Sequence, residues 1–179
     1  MSEVYLKKAK KTPETGTSET RKIVERMLSE IEIGKETIAK KYASDLDGFN
    51  GDIIVSQEKI ENASTMVPEK LKDDIKFAHE RIKKFAEAQK QSISEFETEL
   101  SPGLWAGQKL IPIQTAGCYV PGGRYAHVAS AIMSITTARV AGVENIIACS
   151  APKGEDGPNP AILYTMNYCG ADKILALGG

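Results

Sequence analysis

The second half of the chain alternates between short apolar runs and amphipathic stretches, and this alternation constrains the fold more than any other feature. We predict strands over residues 117–120, 145–150 and 173–177, and helices over residues 127–141 and 160–169 between them. Regular alternation of strand and helix is typical of a parallel sheet with covering helices. The predicted fold class is therefore α/β, with a doubly wound parallel sheet.

The first half has the pattern of helices. Apolar residues recur every three or four positions over residues 18–33, and Gly34 is predicted to interrupt that helix. Ser56 is a predicted N-cap of a short helix. Pro68 is predicted to occupy the first position of the longest helix, which continues to about Ser92. The N-terminal region is therefore expected to be mainly helical.

The composition changes after Leu100, where we place a domain boundary. Residues 1–100 are the predicted helical region, and residues 101–179 are the predicted first part of an α/β domain. Short strands are predicted around Trp105 and over residues 110–113. A sheet that ends on its third strand leaves an exposed apolar edge, which natural proteins usually avoid, so this pattern indicates a truncated domain.

Charge and cysteine content limit the classes of partner. The formal net charge is -1, which gives no electrostatic reason to expect nucleic acid or an anionic membrane as a partner. We find no apolar segment long enough to span a bilayer. The three cysteines, Cys118, Cys149 and Cys169, form no close pair, which is typical of a reducing compartment. We therefore expect a cytoplasmic protein.

Candidate ligand-binding residues lie at the carboxyl ends of the predicted strands, where ligands collect in doubly wound sheets. Gly122 and Gly123 follow the first of these strands. Consecutive glycines allow the backbone to approach a ligand closely, and the free N–H groups of the following helix favour an anion such as a phosphate. A simple strand-to-helix turn explains the same pair of glycines. The Gly-x-Gly-x-x-Gly and Gly-Lys-Ser/Thr phosphate motifs do not occur in the sequence.

Three segments together resemble one known family. They are the run from Gly117 to Arg124, the run from Ala138 to Val143 and the pair Asn159-Pro160. Their sequence, order and spacing are similar to those of the histidinol dehydrogenase family. The resemblance covers nearly the whole chain, although the family protein is more than twice as long.

The resemblance implies a homodimeric enzyme that oxidises a small-molecule alcohol through an aldehyde to a carboxylate, with NAD and zinc as cofactors. Tyr119 matches the family tyrosine that contacts NAD, and Gly122 and Gly123 accompany it. A buried strand tyrosine is the alternative for Tyr119. The family's zinc ligands and its catalytic Glu-His pair have no counterpart before Gly179, so no catalytic or metal-binding residue is expected in this segment. With only His79 and His127, the chain does not favour a zinc site of its own.

The segment after the glycines departs from the usual histidinol-oxidising pattern. Residues 124–130 resemble the sulfopropanediol dehydrogenases of the same family. We therefore hypothesise that His127, with Arg124, faces the substrate and favours a sulfonate-bearing diol such as 2,3-dihydroxypropane-1-sulfonate, because cationic donors suit a fixed anion. Histidinol is the other candidate substrate. In the alternative interpretation His127 only caps or packs the helix, and Arg124 is a surface residue.

Two classes of function are consistent with these patterns. The first is an inactive fragment of an NAD-dependent dehydrogenase, in which a helical region precedes an incomplete Rossmann-like sheet. The second is a free-standing, non-catalytic nucleotide-binding or dimerisation module. Continuation of the natural reading frame beyond Gly179 favours the enzyme, and a stop codon there favours the module.

Overall fold

The structure, a computed structural model, describes residues 18–122 and 125–178. The chain divides into two units, Met1–Lys41 and Tyr42–Gly179, and helix α1 (Ser18–Asp47) crosses from the first to the second. Lys35 interrupts α1 with a φ of 51° and a ψ of -136°, a backbone conformation that residues other than glycine rarely adopt. The interruption predicted at Gly34 is therefore confirmed, one residue later.

In the first unit, α1 is the described element. Arg21 and Glu25 form an ion pair one turn apart, with 3.4 Å between Nε and Oε1. Val24 and Leu28 belong to the apolar stripe predicted from the sequence, and both side chains are exposed. Because surface ion pairs contribute at most about 1 kcal/mol, this helix receives little stability from within its own unit.

The second unit contains two further helices before the strands, α2 (Gln57–Met66) and α3 (Glu69–Gln91). The Ser56 hydroxyl accepts a hydrogen bond from the Lys59 amide at 3.3 Å, so the predicted cap of α2 is confirmed. Pro68 lies just before α3 as its N-cap, and not at the first helical position as predicted.

A two-stranded antiparallel hairpin follows α3. Its strands are β1 (Phe96–Ser101) and β2 (Leu104–Gln108), and Phe96 lies opposite Gln108. The hairpin therefore spans the position after Leu100 at which the sequence pattern changes. The strand predicted over residues 110–113 is wrong, because these residues form no ladder and Pro112 has no N–H to donate to one.

The main sheet has three parallel strands in the order β3 (Thr115–Tyr119), β4 (Asn145–Ser150) and β5 (Lys173–Ala176). The predicted α/β fold with a parallel sheet is confirmed. The carboxyl ends of the three strands lie along one edge, since parallel strands run in the same direction.

Helical segments connect these strands. Between β3 and β4, α4 (Val128–Ala131), a π-helical turn (Ile132–Thr136) and α5 (Thr137–Ala141) form one run. The sequence pattern predicts a single α-helix here, so the π turn is a difference from the prediction. Between β4 and β5 lie a 3₁₀ turn (Gly154–Asp156) and α6 (Pro160–Tyr168).

The two faces of the sheet differ in burial. Cys118, Ala148 and Ile174 lie side by side on one face and are buried in the core. On the other face, Tyr119 is exposed and its neighbour Cys149 is only half-buried. The continuously apolar sequence of β4 predicts that helices cover both faces of the sheet. The residues that the structure describes bury one face.

A segment from the first half of the chain lies along the outer edge of β5. The Val55 amide donates to the Ile174 carbonyl at 2.9 Å, and the Ala176 amide donates to the Ile53 carbonyl at 2.7 Å. Ile54 and Leu175 form the antiparallel bridge between these bonds. The prediction of an exposed edge beside the third strand is therefore wrong, because a segment distant in sequence covers it.

Arg139 links α5 to the loops around β4 and β5. Its guanidinium donates to the carbonyls of Val143 and Gly170 and to the Asp172 carboxylate, the last at 2.7 Å. Asp172 also accepts a hydrogen bond from the Ile146 amide at 2.7 Å. The Ile146 amide, followed by Arg139, holds the pKa of Asp172 below its usual value. This network fixes the start of β4 relative to β5.

No helix in the described ranges combines the length and the apolar character needed to cross a membrane.

Candidate functional site

The carboxyl edge of the sheet brings together three chain segments. The Val120 amide donates to the Cys149 carbonyl at 2.8 Å, which holds the segment after β3 against the end of β4. Ser150 ends β4, and Gly178 follows β5 along the same edge. Ligands of α/β proteins bind outside this edge, so we take it as the candidate site.

Tyr119 is the last residue of β3 and lies on the less covered face of the sheet. It is 47% exposed, so the alternative of a fully buried strand tyrosine does not apply. An aromatic ring at the end of a strand offers an apolar surface and a hydroxyl to a base or a ribose. Its contact with NAD stays a prediction.

Gly122 lies two residues after Val120 in the chain and is buried. A Cβ atom at this position would lie 2.5 Å from the Ser150 Oγ and 3.2 Å from the Ile162 Cδ1. The first distance is shorter than any ordinary contact, so the close approach of the backbone to Ser150 requires a glycine here. The sequence indicates Gly122 as a ligand-approach residue, and the structure adds this packing reason.

The remaining predicted site residues surround the start of the next helix. Gly123 and Arg124 lie outside the described residues. His127 is exposed and precedes α4 as its N-cap, without a hydrogen bond from its side chain to the helix. Capping by the imidazole, one alternative for His127, is therefore not observed. Its contact with a substrate stays a prediction.

The start of α6 is closed to a ligand anion. The Asn159 side chain accepts a hydrogen bond from the Ala161 amide at 2.9 Å. The Asn159 carbonyl accepts from the amides of Ile162 and Leu163. Pro160 has no N–H, so the first-turn donors of α6 are already used. A phosphate at this edge must therefore be bound by other groups.

Two residues reach the edge that the sequence did not identify as site residues. Ser150 is completely buried beneath Gly122. Asp47 accepts a hydrogen bond from the Gly178 amide at 3.2 Å, although the two residues are 131 positions apart. No local sequence pattern identifies Asp47, because its position at the edge depends on tertiary contacts.

The metal-binding side chains in the described part of the chain do not form a site. No cluster of three or more His, Cys, Asp and Glu side chains that could hold a metal ion occurs there. His79 packs instead against the Tyr168 ring in an edge-to-face contact, with 5.1 Å between the ring centroids. The described residues therefore do not fit a zinc ion.

Burial lowers the reactivity of two cysteine thiols, those of Cys149 and Cys169. Burial raises the pKa of Cys169 to about 11. Burial, followed by the neighbouring Cys118, raises the pKa of Cys149. Because the thiolate is the reactive form, these two thiols are poor nucleophiles at neutral pH.

An open groove of about 1000 Å³ lies elsewhere, beside the first residues of β3. The end of α3, the segment 110–113 and α5 line it with mainly aliphatic side chains. Lys90 lies in this groove, and its Nζ donates to the Val140 carbonyl at 2.9 Å. Tyr119 and Gly122 do not line this groove, so we place the candidate site at the carboxyl edge and not here.

The fold and the edge define a class: an α/β protein whose parallel sheet presents a glycine loop and an aromatic residue at its carboxyl ends. Within that class, the histidinol dehydrogenase family model matches residues 10–179, so the chain belongs to the histidinol dehydrogenase family.

Relatives with curated names agree with this assignment. The chain is 54% identical to a histidinol dehydrogenase homolog of Pelagibacter ubique, with 100% of this chain and 42% of the relative covered. It is 51% identical to a sulfopropanediol 3-dehydrogenase of Ruegeria pomeroyi, with 98% and 40% covered. The crystal structure of histidinol dehydrogenase from Elizabethkingia anophelis superposes with a TM-score of 0.83 at 30% identity, with 93% and 38% covered. The chain thus spans about two fifths of the length of these relatives.

Proposed function

We propose that the natural protein carrying this chain is an NAD-linked dehydrogenase that oxidises an alcohol through an aldehyde to a carboxylate. The observation that carries the proposal is the exposed Tyr119 ring beside the close-packed Gly122, at the carboxyl edge of a sheet in a member of this family. NAD supplies the hydride acceptor, and the residues of this chain bind and orient it.

The role of this chain in that reaction is cofactor positioning. The Tyr119 ring offers one face to the dinucleotide. The backbone at Gly122 and Gly123 allows close approach of an anionic group, because neither residue has a side chain to block it. Zinc is part of the proposal for the natural protein, with ligands from polypeptide outside this chain, since the described residues do not fit a zinc ion.

The cofactor role is tested by measuring the Kd for NAD in the natural protein with Tyr119→Ala. Loss of the aromatic contact is expected to raise the Kd roughly two- to tenfold. Tyr168→Ala is the matched control. Tyr168 is also partly exposed, but it lies at the end of α6, where it packs against His79 and Tyr164. Equal Kd values for the wild type and Tyr119→Ala would remove Tyr119 from the site.

For the substrate, we propose a sulfonate-bearing diol, with histidinol as the second candidate. Similarity to a relative named sulfopropanediol 3-dehydrogenase and the exposed position of His127 support this choice. Arg124 and His127 offer cationic donors to the sulfonate. The ratio of kcat/KM for dihydroxypropanesulfonate to that for histidinol is expected to fall in Arg124→Gln and His127→Gln. Exclusive turnover of histidinol by the wild type would reject the sulfonate assignment.

We further propose that the natural protein is a cytoplasmic homodimer and that this chain alone is inactive. The family resemblance supports the dimer, and the three free cysteines support a reducing compartment. The absence of a fitting zinc site in the described residues supports inactivity. Light scattering of the natural protein tests the dimer. Zinc-dependent NAD reduction by this chain alone would contradict the last part of the proposal.

A further inference from the structure

Ser150 is a polar residue in an apolar position. It ends β4 and is completely buried, on the face of the sheet that carries Ala148 and Ile146. Its Oγ has no hydrogen-bond partner among the described residues. Buried hydroxyl groups almost always have a partner, because leaving one unsatisfied costs about 1–3 kcal/mol. The Ser150 hydroxyl therefore needs an explanation that packing does not give.

The glycine loop after β3, residues 121–122, lies close to this hydroxyl. A Cβ atom on Gly122 would lie 2.5 Å from the Ser150 Oγ, so the hydroxyl lies directly beside the Gly122 backbone. The first-turn amides of α6 are not available to it, since the Asn159 side chain and carbonyl already accept from them. The loop is thus a close neighbour that can supply the missing partner.

Ligand binding gives a physical reason for the loop to do so. The C=O and N–H of a trans peptide point in opposite directions. If the Gly122 amide donates to an anionic group outside the edge, the Pro121 carbonyl of the same peptide turns away from that group and towards the interior. Ser150 lies on that inner side, and its hydroxyl can donate to a carbonyl.

We propose that Ser150 is a positioning residue of the dinucleotide site, whose buried hydroxyl hydrogen-bonds the Pro121 carbonyl when the dinucleotide is bound and so holds the Gly122 amide towards it. This inference rests on the proposed NAD-linked function and adds a residue that acts through the loop. The bound dinucleotide thus gives the Ser150 hydroxyl, through the Pro121 carbonyl, the partner that the described residues do not provide.

The test compares Ser150→Ala with the wild type in the natural protein. In the absence of ligand, removing an unsatisfied hydroxyl leaves the Tm unchanged or raises it by about 2–4 °C. In calorimetric titration the Kd for NAD rises about three- to tenfold, because the complex loses one net hydrogen bond. A merely structural hydroxyl gives the opposite pattern, a lower Tm with an unchanged Kd.

Thr136→Val is the matched control, because Thr136 also carries a buried hydroxyl but lies in the π turn, beside Cys169 and away from the glycine loop. Its Kd for NAD stays within twofold of the wild type. A Kd within twofold for Ser150→Ala overturns the inference and leaves the proposed function intact. If the wild type binds no NAD, the proposed function fails, and this inference fails with it.

Discussion

At the scale of single residues, Gly122 packs closely against Ser150 at the candidate site. The Cβ of Gly122→Ala would lie 2.5 Å from the Ser150 Oγ, so this substitution is expected to cost about 1–3 kcal/mol of unfolding free energy. Ser150→Ala removes the obstructing atom, so the double variant should recover most of that loss. Denaturant unfolding of the single and double variants in the natural protein measures the coupling.

Gly117→Ala is the control for this cycle. An added Cβ on Gly117 meets no atom within 4 Å, so its effect is expected to stay within about 0.5 kcal/mol. Strictly additive effects of Gly122→Ala and Ser150→Ala would show that the clash is relieved by movement of the loop and not by the loss of Oγ.

The Asp172 carboxylate gives a second residue-scale prediction, on pH. Its folded-state pKa is lowered, first by the Ile146 amide and then by Arg139, so its stabilising effect is fully present above its unfolded-state pKa. That effect is lost as the pH falls through the lowered folded-state pKa. We therefore expect Asp172→Asn to be less stable than the wild type at pH 7, by at most about 1 kcal/mol because solvent screens this partly exposed carboxylate, with a difference that shrinks below about pH 4.

Urea unfolding of both proteins from pH 7 to pH 3 measures this difference. Asp74→Asn is a suitable reference, since Asp74 is an exposed residue in the second turn of α3. A stability gap for Asp172→Asn that stays constant down to pH 3 would rule out ionisation of this carboxylate as its cause.

At the scale of elements, the break in α1 is under backbone strain. Lys35 has a φ of 51° and a ψ of -136°, which costs a non-glycine residue about 1–3 kcal/mol. Lys35→Gly is therefore expected to raise the unfolding free energy by roughly 1 kcal/mol. Lys22→Gly, in the regular part of the same helix, should lower it by about 1 kcal/mol. Thermal unfolding of both variants shows whether each substitution raises or lowers the stability of the protein. Destabilisation by Lys35→Gly would exclude backbone strain at this position.

The elements differ in how well the sequence predicted them. The strands of the parallel sheet follow from apolar runs, and the α2 cap follows from Ser56, because both signals are local. Strand β1 was missed because Ile93, Phe96 and Leu100 recur at spacings of three and four, as in a helix. All three side chains are exposed, and Phe96 and Leu100 lie on a hairpin strand instead. The pairing of β1 with β2, and not the spacing within β1, decides its structure.

At the scale of the whole molecule, local sequence patterns did not predict the contacts between segments that are distant in the chain. Gly122 was indicated by its place after a predicted strand, which is a local feature, and Tyr119 by the resemblance to the histidinol dehydrogenase family. The burial of Ser150 beneath Gly122, and the contact of Asp47 with Gly178, depend on how separate segments meet. The pairing of residues 53–55 with β5 likewise depends on how distant segments meet.

That segment gives a prediction for hydrogen exchange. The amides of Val55 and Ala176 are bonded across the sheet edge and are expected to exchange slowly in the natural protein. The Ile54 amide takes no part in these two bonds and serves as an internal control with faster exchange. Exchange of Val55 as fast as that of Ile54 would show that the edge is open in solution.

The covered edge of β5 also has a consequence for synthesis. Residues Ile53–Val55 leave the ribosome long before β5, so in the nascent chain they have no strand to pair with. Contacts between such distant segments form slowly, and an unpaired strand can associate with other chains during the delay. A pairing segment of only three residues keeps that risk small, since short edge strands are poor templates for aggregation.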